Sequence, residues 1–275
     1  MRPELERKLQ ASIELLDKAE KVALGLNPVD GFYLGFSGGK DSVALLQVAR
    51  LAGVKFKAVH NVTGIDAPST IRFIRYWFPE VVFEHAKENY LELVQKKGLP
   101  RMNMRFCCER LKERIGAGNV VLTGVRHDES AKRAAYSQVE IWSRRKEHEG
   151  KDKARDIDAI IQNEHQCIKG KDRIMVYPLL DWTEEDVWDI IDEFDLPVNP
   201  CYRLFGRVGC MYCPYASPAQ VERYEQMYPK YKERVMLAVK RWWAKSDEHM
   251  LPSPEAYYEW WKSRKPLAKF MAENL

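Results

Sequence analysis

The sequence contains no apolar run long enough to cross a bilayer as a helix. Its first residues, "MRPELERKLQASIELLDKAEK", mix acids and bases and lack the apolar stretch of a signal peptide. These absences leave out a helical membrane protein and lead us to expect a cytoplasmic one. An excess of charge of one sign is missing too: 44 Lys and Arg stand against 40 Asp and Glu, a net charge of +4. Dedicated nucleic-acid binders carry a stronger bias, so only a local basic patch remains open. No internal repeat is visible. Cysteine is scarce, with six in 275 residues, and a reducing compartment argues against joining them as disulfides. Their placement is uneven. Cys107 and Cys108 are adjacent, Cys167 and Cys201 stand alone, and Cys210 and Cys213 form a C-x-x-C. That pattern suggests a bound metal or cluster.

What is present is ordinary for a packed protein. Hydrophobic residues make up 45% of the chain, and the length suits one large domain, or one domain with an appendage. Leu9, Ile13, Leu16, Ala19 and Ala23 recur at helical spacing, predicting a helix over Glu4–Leu26. Then "FYLGF" (32–36) reads as a buried strand, Val43–Leu51 as a helix closed by Gly53, "KFKAVHNV" as a strand and Pro68–Trp77 as a helix. "VVFEHA", Tyr90–Lys97 and "NVVLTGV" continue the alternation as strand, helix and strand. Such alternation predicts a mostly parallel sheet with right-handed crossovers. From Arg126 to Arg173 periodicity fades, and "SRRKEHEGKDKARDIDAIIQNEHQ" suits a solvated helical insertion or a lid. "IMVYPLL" is a further strand, and "DWTEEDVWDIIDEF" a helix with Thr183 as N-cap and Asp186 three residues on. Past Pro218 the chain is helical and aromatic. We expect an N-terminal helix over 1–30, an α/β domain over 31–217 and a helical aromatic region over 218–275.

The stretch "SGGKDS", Ser37 to Ser42, lies between strand and helix. Backbone N–H groups beside two glycines, a helix N-terminus and a lysine suit a phosphate. It is not a Walker A loop, because Leu34 stands at the first glycine position and Asp41 follows the lysine. The stretch resembles the PP-loop of ATP pyrophosphatases and adenine nucleotide alpha hydrolases. "NVTGIDAPST" (61–70) is similar to a second motif of the phosphoadenosine phosphosulfate (PAPS) reductase branch, D-T-G-x-x-x-P-E-T, with Val62 and Ser69 where two acids are usual. "GVRHDESAKR" (124–133) is similar to its G-x-R-x-x-E-S-x-x-R. The resemblance implies a doubly wound, Rossmann-like α/β fold of the adenine nucleotide alpha hydrolase kind with a helical C-terminal extension. It implies Ser37, Gly38, Gly39, Lys40, Asp41, Ser42, Gly64, Gly124 and Glu129 as nucleotide-binding residues, and Lys40, Arg126 and Arg133 as the catalytic cations. Asp41 suits either a Mg²⁺ ligand or a helix cap. Trp182 and Trp188 read as core, and His127 as a polar loop residue.

Four thiolates suit a [4Fe–4S] cluster, with zinc the alternative occupant. "CCERLK" and "NPCYRLFGRVGCMYC" resemble two runs that hold such a cluster in assimilatory adenylyl-sulfate (APS) reductases. The resemblance implies Cys107, Cys108, Cys210 and Cys213 as ligands. Cys167 and Cys201 read as packed cysteines, Cys201 with a second reading as spare ligand or persulfide carrier.

Those reductases attack with a cysteine near the C-terminus, and no cysteine follows Cys213. The intact SGGKDS resembles the loop of ATP-cleaving members. The expectation is an enzyme that cleaves ATP with Mg²⁺ at the α-phosphate, releasing pyrophosphate, to activate a substrate for sulfur transfer, similar to the PP-loop component of DNA phosphorothioation and to tRNA-thiolating enzymes. A cysteine desulfurase would then be the sulfur donor. The alternatives are an APS/PAPS reductase served by thioredoxin, with Cys167, Cys201 or a partner's thiol as nucleophile, and a non-catalytic nucleotide-binding scaffold. "KRWWAK" and "YYEWWKSRK" mix basic and aromatic residues as single-strand nucleic-acid sites do; a helical core with snorkelling lysines gives the same pattern.

Overall fold

A computed structural model describes residues 1–112, 116–131, 133–142, 173–245 and 249–274. The expected insertion at 143–166 and Cys167 lie outside them.

The chain starts with α1 (Pro3–Leu26), which has proline in its first turn, where no intrahelical N–H is lost. Its buried face carries Leu5, Leu9, Ser12, Leu16, Ala19 and Ala23, a stripe at three- and four-residue spacing. There follow β1 (Phe32–Gly35), α2 (Lys40–Ala52), β2 (Phe56–Val62), α3 (Pro68–Trp77) and β3 (Val82–His85). Gly53 ends α2 in the left-handed conformation, φ +69°. Then come α4 (Tyr90–Lys97), α5 (Phe106–Leu111), β4 (Val120–Leu122), β5 (Val139–Trp142) and β6 (Arg173–Val176). The further α-helices among the described residues are Glu184–Glu193, Cys201–Phe205, Pro218–Met227, Pro229–Trp243, Pro254–Ser263 and Leu267–Asn274. None among the described residues is long and apolar enough to cross a membrane.

The strands form one sheet in the order β3-β2-β1-β4-β6-β5. β1 lies parallel to β2 and to β4, and β4 parallel to β6. β5 runs antiparallel to β6. This is the doubly wound, mostly parallel architecture that the alternation predicts. β5 was not foreseen: it is four residues long in a stretch with no clear period, and its strand character comes from pairing with β6. The strand order reverses at β1 and β4, so their carboxyl ends open a crevice of the kind where such folds bind ligands. SGGKDS follows one of these strands, and GVR the other.

The chain clusters into two compact units. The first comprises Met1–His60, Arg72–Phe83 and Arg114–Pro200; the second Asn61–Ile71, Glu84–Glu113 and Cys201–Leu275. Leu34, Leu45, Leu46, Leu122, Val176 and Trp182 belong to the first unit's core. Leu93, Phe205, Met211, Tyr224, Val239 and Trp261 belong to the second's. Each such large apolar side chain contributes about 1.5–3 kcal/mol on burial.

Candidate functional site

In the first unit, β1 ends in a tight turn. Gly38 has φ +75°, a conformation that a side chain would strain, and Gly38 and Gly39 are buried while Ser37 is exposed. Asn199 Nδ2 donates to the Gly38 carbonyl (3.0 Å). Ser42 Oγ donates to the Gly39 carbonyl (2.8 Å) and lies 3.2 Å from Ser37 Oγ, which accepts from the Gly39 N–H (3.3 Å). Gly39 is the N-cap of α2 and no side chain caps the helix. The positive end of the helix dipole is thus turned to the loop.

Asp41 is therefore not a helix cap. Its carboxylate lies between two cations, 3.2 Å from Lys40 Nζ and 2.8 Å from Arg126 Nε. Lys40 also reaches Glu184 (3.6 Å), and Arg126 Nη1 reaches Asp128 (3.3 Å) and the Trp182 carbonyl (3.4 Å). Arg126 is 3% exposed. Burial disfavours its charge, but Asp41, Glu129 and Asp128 together outweigh burial and hold the pKa above the ordinary arginine value. Glu129 accepts from the Arg126 backbone N–H (3.1 Å) and pairs with Arg133. Gly124 closes the group: a Cβ there would lie 2.6 Å from the Asp41 carbonyl oxygen. Beside it, Thr123 Oγ1 is buried without a hydrogen-bond partner among the described residues. His127 places its ring nitrogens on Asp181 (3.2 Å) and the Tyr136 carbonyl (3.1 Å).

Lys40, Asp41 and Arg126 thus come together around the turn, and Arg133 joins through Glu129. Asn199, Thr123, Asp128 and Glu184 were missed. All four stand inside runs quoted above, Thr123 in NVVLTGV, Asp128 in GVRHDESAKR, Glu184 in DWTEEDVWDIIDEF and Asn199 in the N-P-C that opens the second cysteine run, but none was singled out for the site. Gly64 belongs to the second unit, in the turn after β2, with φ +83°.

Also in the second unit, Cys107, Cys108, Cys210 and Cys213 line one small pocket, together with Thr63, Tyr90 and Lys112. Cys107 and Cys108 start α5, and Cys210 is paired through a backbone bridge with Asp66. Cys107 is hydrogen-bonded to Cys108; that bond, then burial, pushes its thiol pKa up. Burial does the same to Cys210. Lys112 hydrogen-bonds Cys210, whose sulfur raises the ammonium pKa above the ordinary lysine value. Among the described residues no group of three or more His, Cys, Asp or Glu converges to hold a single metal ion. A cluster asks for something different: sulfurs arranged around a space that a multi-iron core fills. Four thiols on a common cavity walled by Ile65, Leu111 and Pro214 meet that demand in donor type and in apolar shell. Cys201, by contrast, is fully buried, 3.1 Å from Ser69 Oγ and 3.3 Å from Thr70 Oγ1.

Residues 32–216 match the family model of the phosphoadenosine phosphosulfate reductase domain. An uncharacterized protein of Methanocaldococcus jannaschii is 26% identical over 264 residues, covering 89% of this chain and 58% of that protein. Sulfate adenylyltransferase subunit 2 of Rhizobium tropici is 29% identical over 181 residues, covering 61% of this chain and 56% of the subunit. The chain spans little more than half the length of these relatives. Among solved structures, Candida glabrata FMN adenylyltransferase with FAD and inorganic pyrophosphate superposes with a TM-score of 0.49 at 14% identity, over 75% of this chain and 64% of that one.

Proposed function

The chain belongs to the phosphoadenosine phosphosulfate reductase domain family, and from that premise we propose that it binds ATP with Mg²⁺ at the turn after β1 and cleaves it at the α-phosphate to activate a substrate for sulfur transfer. The observation that carries this reading is the intact SGGKDS turn, with two buried glycines, an uncapped helix start, and Lys40 and Arg126 sharing one carboxylate. A polyphosphate tail replaces Asp41 as partner of the two cations and frees its carboxylate for Mg²⁺. The substrate's nucleophilic oxygen bonds to the α-phosphorus as the bond to the bridging oxygen of the β-phosphate breaks, and the electron pair leaves on pyrophosphate. Lys40 and Arg126 offset the charge that builds on the departing oxygens, while Gly38 and Gly39 let backbone N–H groups hold the chain of phosphates in line.

In this reading Cys107, Cys108, Cys210 and Cys213 hold a [4Fe–4S] cluster, with zinc the alternative. When bound, such a cluster supplies a fixed charge and a one-electron carrier.

The test is to offer the anaerobically purified protein ATP·Mg²⁺, APS and PAPS separately, alongside iron and sulfide analysis. Pyrophosphate release from ATP is expected. Lys40→Ala should lower it by about 10²–10³-fold or more, the usual loss for removing a transition-state charge clamp. Release of sulfite from APS or PAPS with a dithiol, and none of pyrophosphate, would establish the reductase. Nucleotide binding with neither product would establish a scaffold.

A further inference from the structure

The family match ends at residue 216, and nothing so far gives the helices beyond it a role. One of them, Pro254–Ser263, ends at Arg264, whose φ of +59° lies in the left-handed region. Glycine is the usual residue at such a helix end, because any side chain strains the backbone there. An arginine that keeps this conformation points to a task for its side chain. Arg264 Nε donates to the Ala216 carbonyl (3.1 Å), Nη2 to the Cys213 carbonyl (2.9 Å) and Nη1 to the Trp261 carbonyl (2.7 Å). Its guanidinium lies over the Trp261 ring, 4.0 Å from the centroid. Two of those three carbonyls belong to the chain that leaves the C-x-x-C. Only a planar fork can serve three acceptors and stack at once.

The same helix grips the other cysteine segment. Trp261 Nε1 donates to the Pro100 carbonyl (2.6 Å), and the Tyr257 hydroxyl accepts from the Leu99 N–H (2.9 Å). Gly98, just before, has φ +74°, and a Cβ there would meet the Tyr257 hydroxyl at 2.8 Å. From Pro100 the chain makes one tight turn, Arg101 to Met104, and enters the helix of Cys107 and Cys108. Arg105 then stacks on Tyr215 (5.3 Å), linking the two segments directly.

We propose that Arg264 is a positioning residue for the cysteine site: with the helix Pro254–Ser263 it latches the Cys210–Cys213 loop and the lead-in to Cys107–Cys108 into one fixed arrangement. The role of this arrangement as cluster ligands rests on the function proposed above, but the order it imposes on Cys213 is measurable without metal.

The experiment uses the full chain with Arg264→Gly, which relieves the backbone, and Arg264→Lys, which keeps the charge but loses the fork. Alkylation of each cysteine in reduced, metal-free protein is followed by mass spectrometry. Iron content, sulfide content and the electron paramagnetic resonance spectrum are read after anaerobic reconstitution. In Arg264→Gly the melting temperature should hold or rise, while Cys213 alkylation accelerates about tenfold through local opening and Cys201 is unchanged. Cluster content should fall or its spectrum shift, with Arg264→Lys in between. Equal acceleration at all cysteines together with a lower melting temperature would show a merely structural role and overturn the latch. So would a wild type with about four irons from which Arg264→Gly is indistinguishable in alkylation and spectrum. A wild type without iron, in which Arg264→Gly still unmasks Cys213 selectively, would remove the cluster and leave the latch standing.

Discussion

Gly124 has no side chain because the first turn of α2 leaves no room for one. A methyl group 2.6 Å from the Asp41 carbonyl oxygen must push either α2 or the end of β4 aside. Overpacking of this kind costs about 1–3 kcal/mol, and the displacement falls on the residues that place Asp41, Lys40 and Arg126. Gly124→Ala should therefore fold with a modestly lower melting temperature yet lose most ATP affinity in equilibrium titration; unchanged affinity would dissociate Gly124 from the site. At this scale the sequence disclosed what is local. Six consecutive residues singled out the turn between β1 and α2, and a ten-residue run singled out Arg126, which the fold brings to that turn through Asp41. It concealed what is distant. That Asp41 bridges Lys40 and Arg126, and that Asn199 holds the Gly38 carbonyl from 161 positions away, depends on how the strands are ordered. No spacing within either motif carries that information.

Among the elements, the helices were the most legible: Pro68–Trp77 has the ends expected of it, and α1 differs by one residue. Asn89 and Glu92 form a reciprocal cap on α4, whose ends match expectation, as do Thr183 and Asp186 on Glu184–Glu193. Asp186 does more than cap. It is 1% exposed, and Arg2 and Lys8 donate to it at 2.9 and 2.6 Å, tying α1 to the helix Glu184–Glu193. Burial opposes its charge, but Lys8 and the Thr183 backbone prevail and hold its carboxyl below the ordinary carboxylate value. A lowered value in the folded state means that the native protein is favoured once the unfolded carboxyl, near ~4, has ionised. That contribution is lost as pH falls through the folded value. Asp186→Asn should destabilise the protein by about 1–3 kcal/mol at pH 7, because the part-exposed Arg2 and Lys8 lose the carboxylate they donate to. The gap between variant and wild type should narrow in denaturant titrations as pH falls below the ordinary carboxylate range and through the lowered folded value. A gap that persists in acid would assign the effect to packing. β5 was illegible for the opposite reason: it has no cap, no period, and only an antiparallel neighbour to define it.

For the whole molecule, the alternating pattern foretold the parallel sheet but not the division into units. The described cysteines all lie in the second unit, and the SGGKDS turn in the first. That partition follows from long-range packing, and the sequence boundary we drew at residue 217 has no signal for it. Val221, Tyr224, Val235, Val239, Tyr258 and Trp261 are buried in the second unit's core. At about 1.5–3 kcal/mol each, their removal rivals the 5–15 kcal/mol that typically holds a domain together. A chain truncated after residue 217 should therefore lose protection of Leu93, Val94 and Leu111 in hydrogen exchange and fail to retain iron; retention of both would show those helices to be dispensable. The second unit is assembled from three separate stretches of chain, with pieces of the first threaded between them. Neither unit can be excised, swapped or fused elsewhere as a contiguous gene fragment. Whatever chemistry each half performs, recombination has had to pass them on as a single inheritance, and change in one has always been screened in the company of the other.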